Sequence, residues 1–145
     1  MALRDVDAVL AIQAACLEIA QWSDWDYEGV ARGEMMGWVA EDEGGVAGFL
    51  VARQLVGEAE ILNFAVRGDS RRQGTGTALL AQALEWSKSY GAERVILEVR
   101  ASNLAALRFY ERHGFVVTGK RPRYYAVPIE DALLLNLSLV ESGRD

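Results

Sequence analysis

The sequence predicts one α/β domain, and three observations carry that expectation. Apolar residues recur with the helical period in some stretches and with the strand period of two in others, and the two kinds alternate along the chain. Residues 61–84 read ILNFAVRGDSRRQGTGTALLAQAL: an apolar run, a polar turn with arginines, glycines and a helix-forming segment follow without a break. The chain has 145 residues, 51% apolar and 25% charged, which gives room for one sizeable core and not for two. Residues 1–145 are therefore expected to form a single domain.

Charge and cysteine usage exclude several classes. With 21 acidic against 15 basic residues the net charge is −6, which argues against a nucleic-acid-binding face spread over the surface. Cys16 is the single cysteine, so no intramolecular disulfide can form, and a reducing cytoplasm is the expected compartment. Arg4, Asp5 and Asp7 precede any long apolar run, unlike an ordinary signal peptide. No stretch approaches the roughly 18 apolar residues of a membrane span. No repeat, low-complexity tract or flexible linker divides the chain.

Taken in order, Val6, Val9, Leu10, Ala14, Leu17 and Ile19 predict a helix over residues 5–20, with Asp5 or Asp7 as its cap. Residues 21–33 carry Trp22, Trp25 and Tyr27, and Gly29 and Gly33 limit them to a short helix flanked by loops. Residues 35–41 and 46–55 are apolar runs joined by Asp42-Glu43-Gly44-Gly45, a hairpin signature. Gly57 and Glu58 turn the chain into a third strand opening at Ala59, so three antiparallel strands lead up to the glycines. Residues 78–90 then place Leu80, Ala83, Leu84 and Ser87 on one side of a helix that Gly91 stops. Residues 94–99, RVILEV, form a strand with Val95, Leu97 and Val99 on one side and Ile96 and Glu98 on the other. Ser102 or Asn103 caps a helix over 104–112 that ends at His113-Gly114, with Phe115 as the apolar contact past the stop. Residues 115–118 make a short strand, 121–127 (RPRYYAV) an irregular basic and aromatic loop, and 129–140 a long apolar strand.

The turn between the third strand and its helix has the physics of an anion site. The first N–H groups of a helix lack internal partners and sit at the positive end of its dipole. Gly74 and Gly76 remove side chains that would hold a diphosphate away from them, while Arg67, Arg71 and Arg72 bring positive charge to an acidic chain. A Walker loop requires a lysine and a spacing absent here, and a dinucleotide fingerprint fails because Leu79 fills its third small position. What remains is R-x-x-G-x-G at Arg71, Gly74 and Gly76, or a basic turn whose glycines serve chain geometry alone.

That loop resembles the phosphate cradle of the GCN5-related N-acetyltransferases. With ILNFAV before it, LEVRASNLAALRFYERHGF over 97–115 and the YY…EDALLL tail, the chain is similar to the ribosomal-protein-alanine N-acetyltransferase branch, from Trp22 to about Leu139. The resemblance implies the acyl-CoA N-acyltransferase fold, a mixed and mainly antiparallel sheet flanked by helices. It implies acetyl-CoA as cosubstrate, held by Phe64, Ala65 and Val66, by Arg71, Arg72, Gln73, Gly74, Thr75, Gly76 and Thr77, and by Asn103. It puts a general base at Glu98 and a general acid at Tyr110, and it implies a protein N-terminus as acceptor, the N-terminal alanine of a small-subunit ribosomal protein. Two departures stand out. Relatives have a short strand before the first helix, so this edge strand is absent or the start truncated, and Arg67-Gly68-Asp69-Ser70 replaces a proline-containing turn, which loosens the phosphate loop.

The residue types suit those roles. Attack on a thioester requires a neutral amine, so a carboxylate must take a proton, and a thiolate with conjugate acid near pKa 8.5 can receive one from a phenol near 10. At pH 7 roughly a tenth of an α-amine is already neutral, against a few hundredths of a per cent of a lysine, which favours an N-terminus. A pantetheine arm between two splayed strands would pair with the backbone of residues 63–66 as an added strand does. Tyr124 and Tyr125, with Trp22 and the pair Glu130-Asp131, could wall a peptide groove. Other roles compete for each residue: Glu98 as an ion-pair partner of Arg100 or Arg123, Tyr110 as a core tyrosine, Glu60 as the base, and His113 as a helix-end cation. Nothing suggests a metal site, a covalent enzyme intermediate, or a nucleic-acid or membrane partner. The rival functions are acetylation of a small amine or a lysine, and a non-catalytic acyl-CoA sensor.

Overall fold

The computed structural model describes residues 1–71, 73–126 and 128–140. Its strands are β1 (Met36–Asp42), β2 (Gly45–Leu55), β3 (Glu58–Val66), β4 (Arg94–Arg100), β5 (Val116–Ala126) and β6 (Ile129–Ser138). Its helices are α1 (Val6–Ala14), α2 (Asp24–Ala31), α3 (Thr75–Ser89) and α4 (Leu104–Arg112). The strands form one open sheet in the order β1-β2-β3-β4-β6-β5, antiparallel throughout except for the parallel pair β3–β4. The predicted α/β class, the mixed and mainly antiparallel sheet and the order of elements all hold.

Two elements differ from the sequence expectation. The first helix ends at Ala14, although its apolar period runs on through Leu17 and Ile19. Gln21 supplies the reason: its side-chain amide nitrogen, Nε2, donates to the carbonyls of Gln13, Cys16 and Ile19, so these acceptors are satisfied without another helical turn. Leu17 is left 77% exposed. Asp5 also caps differently from the expectation, accepting from the amide of Ala2 in the 3-10 turn Leu3–Asp5. The second difference is the segment 121–127, which is not an irregular loop. Through Ala126 it belongs to β5, where the register with β6 passes from Arg121 opposite Ala132 to Tyr125 opposite Glu130. The extra residues bulge there because Pro122 has no amide to pair and Arg123 adopts φ 53. Val127 lies outside the described residues.

Burial divides into two layers. Leu50, Ala52, Ile61, Leu80, Leu97, Val99, Tyr110 and Leu135 form the core beneath α3 and α4. Val9, Ile12, Tyr27, Val30, Phe49, Val51 and Ala65 form the core beneath α1 and α2. A β-bulge at Leu62 links the layers to the site. Val51 pairs with Asn63 but Ala52 pairs with Ile61, so alternation along β3 resets within two residues. Ile61 packs toward α3, whereas Asn63 and Ala65 face α1 and α2. A bulge bends the strand that carries it, and the parallel ladder from β3 to β4 stops at the pair Glu60–Ile96. Among the described residues no strand precedes α1, and the Met1 ammonium donates to the Gly37 carbonyl on β1 at 2.8 Å.

Candidate active site

The end of the β3–β4 ladder leaves a wedge between residues 61–66 and residues 97–100. Backbone groups of β3 beyond Glu60 have no ladder partner on that side among the described residues, so an extended ligand arm has donors and acceptors to pair with. Arg71 Nε reaches the Val66 carbonyl at 3.4 Å. Of the three residues expected to touch the coenzyme here, Phe64 faces α4, with its ring 5.6 Å from Phe109 and 6.3 Å from Tyr110. Val66 packs against the same core. Ala65 turns its side chain into the opposite core, so only its backbone can reach the wedge.

At the mouth of the wedge stands the N-terminus of α3. Gly74 precedes it in the left-handed conformation, φ 82, and the first helical bond runs from the Ala78 amide to the Gly74 carbonyl. The amides of Thr75, Gly76 and Thr77 are left without a partner among the described residues, in the position where a diphosphate is bound most readily. The glycines act differently from each other. A Cβ on Gly74 would meet nothing within 4 Å, so backbone conformation is its requirement, whereas a Cβ on Gly76 would lie 3.3 Å from the Phe109 ring. Gln73 Nε2 donates to the Asp69 carbonyl at 3.2 Å, and Arg72 lies outside the described residues.

Arg67 is corrected by the structure. It turns away from the mouth and is bound by Asp42 at 2.8 Å, Asp69 at 2.6 Å, Ser70 and the Val46 carbonyl. This network fastens the turn that lacks a proline, and with Ser70 fully buried the turn is tied to the β1–β2 hairpin rather than loosened. Among the described residues, positive charge at the mouth comes instead from Arg71.

Glu98 and Tyr110 lie across the sheet from each other. Leu97 and Val99 share the α3–α4 core with Tyr110, so Glu98 between them points to the other face. Its Oε1 lies 3.2 Å from Arg121 Nε, and among the described residues its ion pair is with Arg121 and not with Arg100 or Arg123. Tyr110 is buried among Phe64, Phe109 and Phe115, and burial pushes its phenol well above the ordinary tyrosine value. Glu60, the rival base, is bound by Arg53 at 2.7 Å in the closed part of the ladder. Asn103 caps α4, its Oδ1 accepting from the Ala106 amide at 3.2 Å, which leaves its Nδ2 as the donor available to a ligand.

The face that carries Glu98 also gathers the residues expected to meet an acceptor. Pairing sets Arg100, Arg121, Tyr125 and Glu130 on one side of β4, β5 and β6. The Arg100 guanidinium lies 4.2 Å over the Tyr125 ring and 3.2 Å from Glu130. Burial first, and then the charge of Glu98, raise the Tyr125 phenol. Tyr124 is half exposed at the bulge. Trp22 reaches this face from the α1–α2 loop, its backbone held by both ends of the Gln13 side-chain amide at 2.8 and 2.9 Å.

Two groups were missed from sequence. Gln13, Tyr27 and Asn63 form a buried network in which Tyr27 donates to Gln13 Oε1 and Asn63 Nδ2 donates to Tyr27 at 2.9 Å and to the Ala20 carbonyl at 3.0 Å. It seats the α1–α2 loop beside the wedge, and the signal was the lone polar residue inside ILNFAV. His113 links the helices, with Nδ1 2.8 Å from the Phe109 carbonyl and Nε2 3.1 Å from Thr77 Oγ1. Among the described residues no three His, Cys, Asp or Glu side chains gather as a metal site, and no helix is long and apolar enough to cross a membrane.

Open helix amides beside two strands prised apart, with a carboxylate on one face and a phenol on the other, define a class: enzymes that hold an acyl thioester and pass its acyl group to an amine. Sequence comparison agrees. The profile of the acetyltransferase (GNAT) family matches residues 7–115, and the chain belongs to that family of acetyl-CoA-dependent N-acetyltransferases. The [ribosomal protein bS18]-alanine N-acetyltransferase of Escherichia coli K12 is 32% identical over 120 residues, covering 81% of each chain. An N-alpha-acetyltransferase of Sulfurisphaera tokodaii is 34% identical over 146 residues, covering 92% of this chain and 87% of the relative. The crystal structure of the Escherichia coli ribosomal-protein-S18-alanine N-acetyltransferase superposes with a TM-score of 0.84 at 29% identity, covering 100% of this chain and 94% of that one.

Proposed function

We propose that the enzyme transfers acetyl directly from acetyl-CoA to the α-amine of a protein N-terminus, and that its acceptor is the N-terminal alanine of a small-subunit ribosomal protein. The observation that carries the mechanism is the placement of Glu98 and Tyr110 on opposite faces of the wedge. An amine approaching from the Glu98 face gives a proton to the carboxylate, directly or through water, and attacks the acyl carbon as a neutral nucleophile. The tetrahedral oxyanion finds backbone donors along residues 63–66. Glu98 passes the first proton to solvent and takes the second from the attacking nitrogen in the same way, the C–S bond breaks, and the thiolate leaving on the α4 side takes a proton from Tyr110, which solvent then reprotonates. One proton passes to solvent for each ammonium acetylated. Arg71, the open amides of Thr75, Gly76 and Thr77, and Asn103 would hold the coenzyme, while Trp22, Tyr124 and Tyr125 would border the peptide.

The choice of acceptor rests on the names of the bacterial and archaeal relatives and on the ease with which an α-amine is deprotonated at neutral pH. A ribosomal acceptor also implies the cytoplasm. The test is mass spectrometry of an Ala-initiated ribosomal peptide incubated with acetyl-CoA. The expected result is acetylation of its N-terminus, lost in Glu98→Gln and slowed in Tyr110→Phe. Transfer confined to small amines or lysine side chains would overturn the acceptor, and stabilisation by CoA with no transfer to any amine would overturn the reaction.

A further inference from the structure

The basic segment around Pro122 has more to do than border a groove, because one of its residues is already engaged at the reacting carboxylate. Arg121 Nε lies 3.2 Å from Glu98 Oε1, with the arginine side chain 55% exposed. Its guanidinium carbon also lies 5.5 Å from the centre of the Tyr124 ring. A carboxylate and an aromatic face are two resting places of comparable strength for an exposed guanidinium, so moving between them costs little. The backbone permits the movement. The β5–β6 register shifts between Arg121 and Tyr125, Arg123 sits at φ 53, and β5 is an edge strand with no ladder on its outer side. The neighbours are held: Lys120 Nζ lies 3.6 Å from Asp131 Oδ2, the Arg123 amide donates to Asp131 at 3.0 Å, and Arg100 is paired with Glu130. Within this cluster Arg121 alone pairs with Glu98 among the described residues.

We propose that Arg121 is a cationic plug. In the enzyme without acceptor it occupies the place beside Glu98 that the acceptor's protonated amine takes, and it withdraws toward Tyr124 when that amine arrives. The proposal rests on Glu98 being the base, and it deepens that reading by defining the acceptor as an amine that enters protonated. A cation is required to compensate the carboxylate for the lost guanidinium, and the same cation then yields its proton to Glu98. Arg121 is thus a positioning residue that acts through Glu98 and takes no part in bond making.

The test is a double-mutant cycle read by calorimetry, with CoA-saturated protein titrated with the Ala-initiated peptide at neutral pH. Removing the plug with Arg121→Met should tighten peptide binding about three- to fivefold, the strength of an exposed ion pair. Arg121→Lys, which keeps a cation, should bind as the wild type does. In a Glu98→Gln background, where there is no carboxylate to compete for, Arg121→Met should change nothing. Unchanged or weaker binding by Arg121→Met with Glu98 intact overturns the plug. If the wild type still acetylates the peptide, the functional reading survives that failure. Wild-type protein that neither binds nor acetylates any N-terminal peptide overturns both.

Discussion

Glu98 and Tyr110 flank the wedge between β3 and β4 from opposite faces of the sheet. In the proposed reaction an acyl group lying in that wedge would have a proton acceptor, Glu98, on the side from which the amine comes and a proton donor, Tyr110, on the side to which the thiol leaves. Tyr110→Phe therefore removes the donor without touching amine activation. Steady-state kinetics should show kcat reduced about a hundredfold, the scale of a lost general acid. Because burial holds the phenol well above its ordinary value, Tyr110 stays protonated through the working range. The limbs of the pH–rate profile between pH 6 and 9 should not move in the variant.

Gly74 is required for its backbone and not for space, since a Cβ there meets nothing while φ is 82. Gly74→Ala should weaken CoA binding roughly tenfold, from a left-handed residue costing about 1–2 kcal/mol. Asparagine tolerates that conformation better, so Gly74→Asn should lose less. Isothermal titration with CoA separates the two, and equal losses would show that the side chain itself is resented.

The Gln13–Tyr27–Asn63 network is buried and closed. Tyr27→Phe keeps the ring against Trp22 and Phe49 but leaves one N–H of Asn63 without its acceptor, while Gln13 Oε1 keeps the Trp22 amide as donor. Chemical denaturation should show a loss of about 1–3 kcal/mol, the cost of leaving buried polar groups unpaired. Peptide acetylation should slow as well, because the same network seats the Trp22 loop.

Among the described residues two carboxyls are held below the ordinary range: Asp42, chiefly by hydrogen bonds from Arg67, and Glu130, chiefly by hydrogen bonding to Ser102. A carboxyl depressed in the folded state contributes stability above its unfolded pKa and loses that contribution as the pH falls through the folded value. Thermal melts should therefore be flat near neutrality and decline below about pH 4. In Asp42→Asn that acid decline should be shallower, and an unchanged slope would show that the Arg67 network does not carry the effect.

Much of this architecture was legible in the sequence for identifiable reasons. Alternation in RVILEV gave the facing of Glu98, and Asn103 caps α4 as its residue type demands. Gly91 and Gly114 sit past their helices at φ 86 and 93 as stops should. What failed was set by side chains far apart in the chain. Apolar period alone could not show that Gln21 would end α1 early, nor that Asp42 would draw Arg67 away from the phosphate loop. The bulges escaped for a related reason. Leu62 and the Arg121–Tyr125 stretch break register with their neighbours, and register belongs to pairs of strands rather than to one.

The most direct measurement is a crystal structure with CoA joined covalently to the N-terminus of the Ala-initiated peptide. The account predicts the diphosphate on the amides of Thr75, Gly76 and Thr77, the sulfur on the Tyr110 side of the wedge, and the peptide nitrogen within reach of Glu98 with Arg121 displaced toward Tyr124. A coenzyme seated elsewhere, such as in the depression lined by Trp38, Ala40, Leu79 and Gln82, or a nitrogen remote from Glu98 with no bridging water, would contradict it.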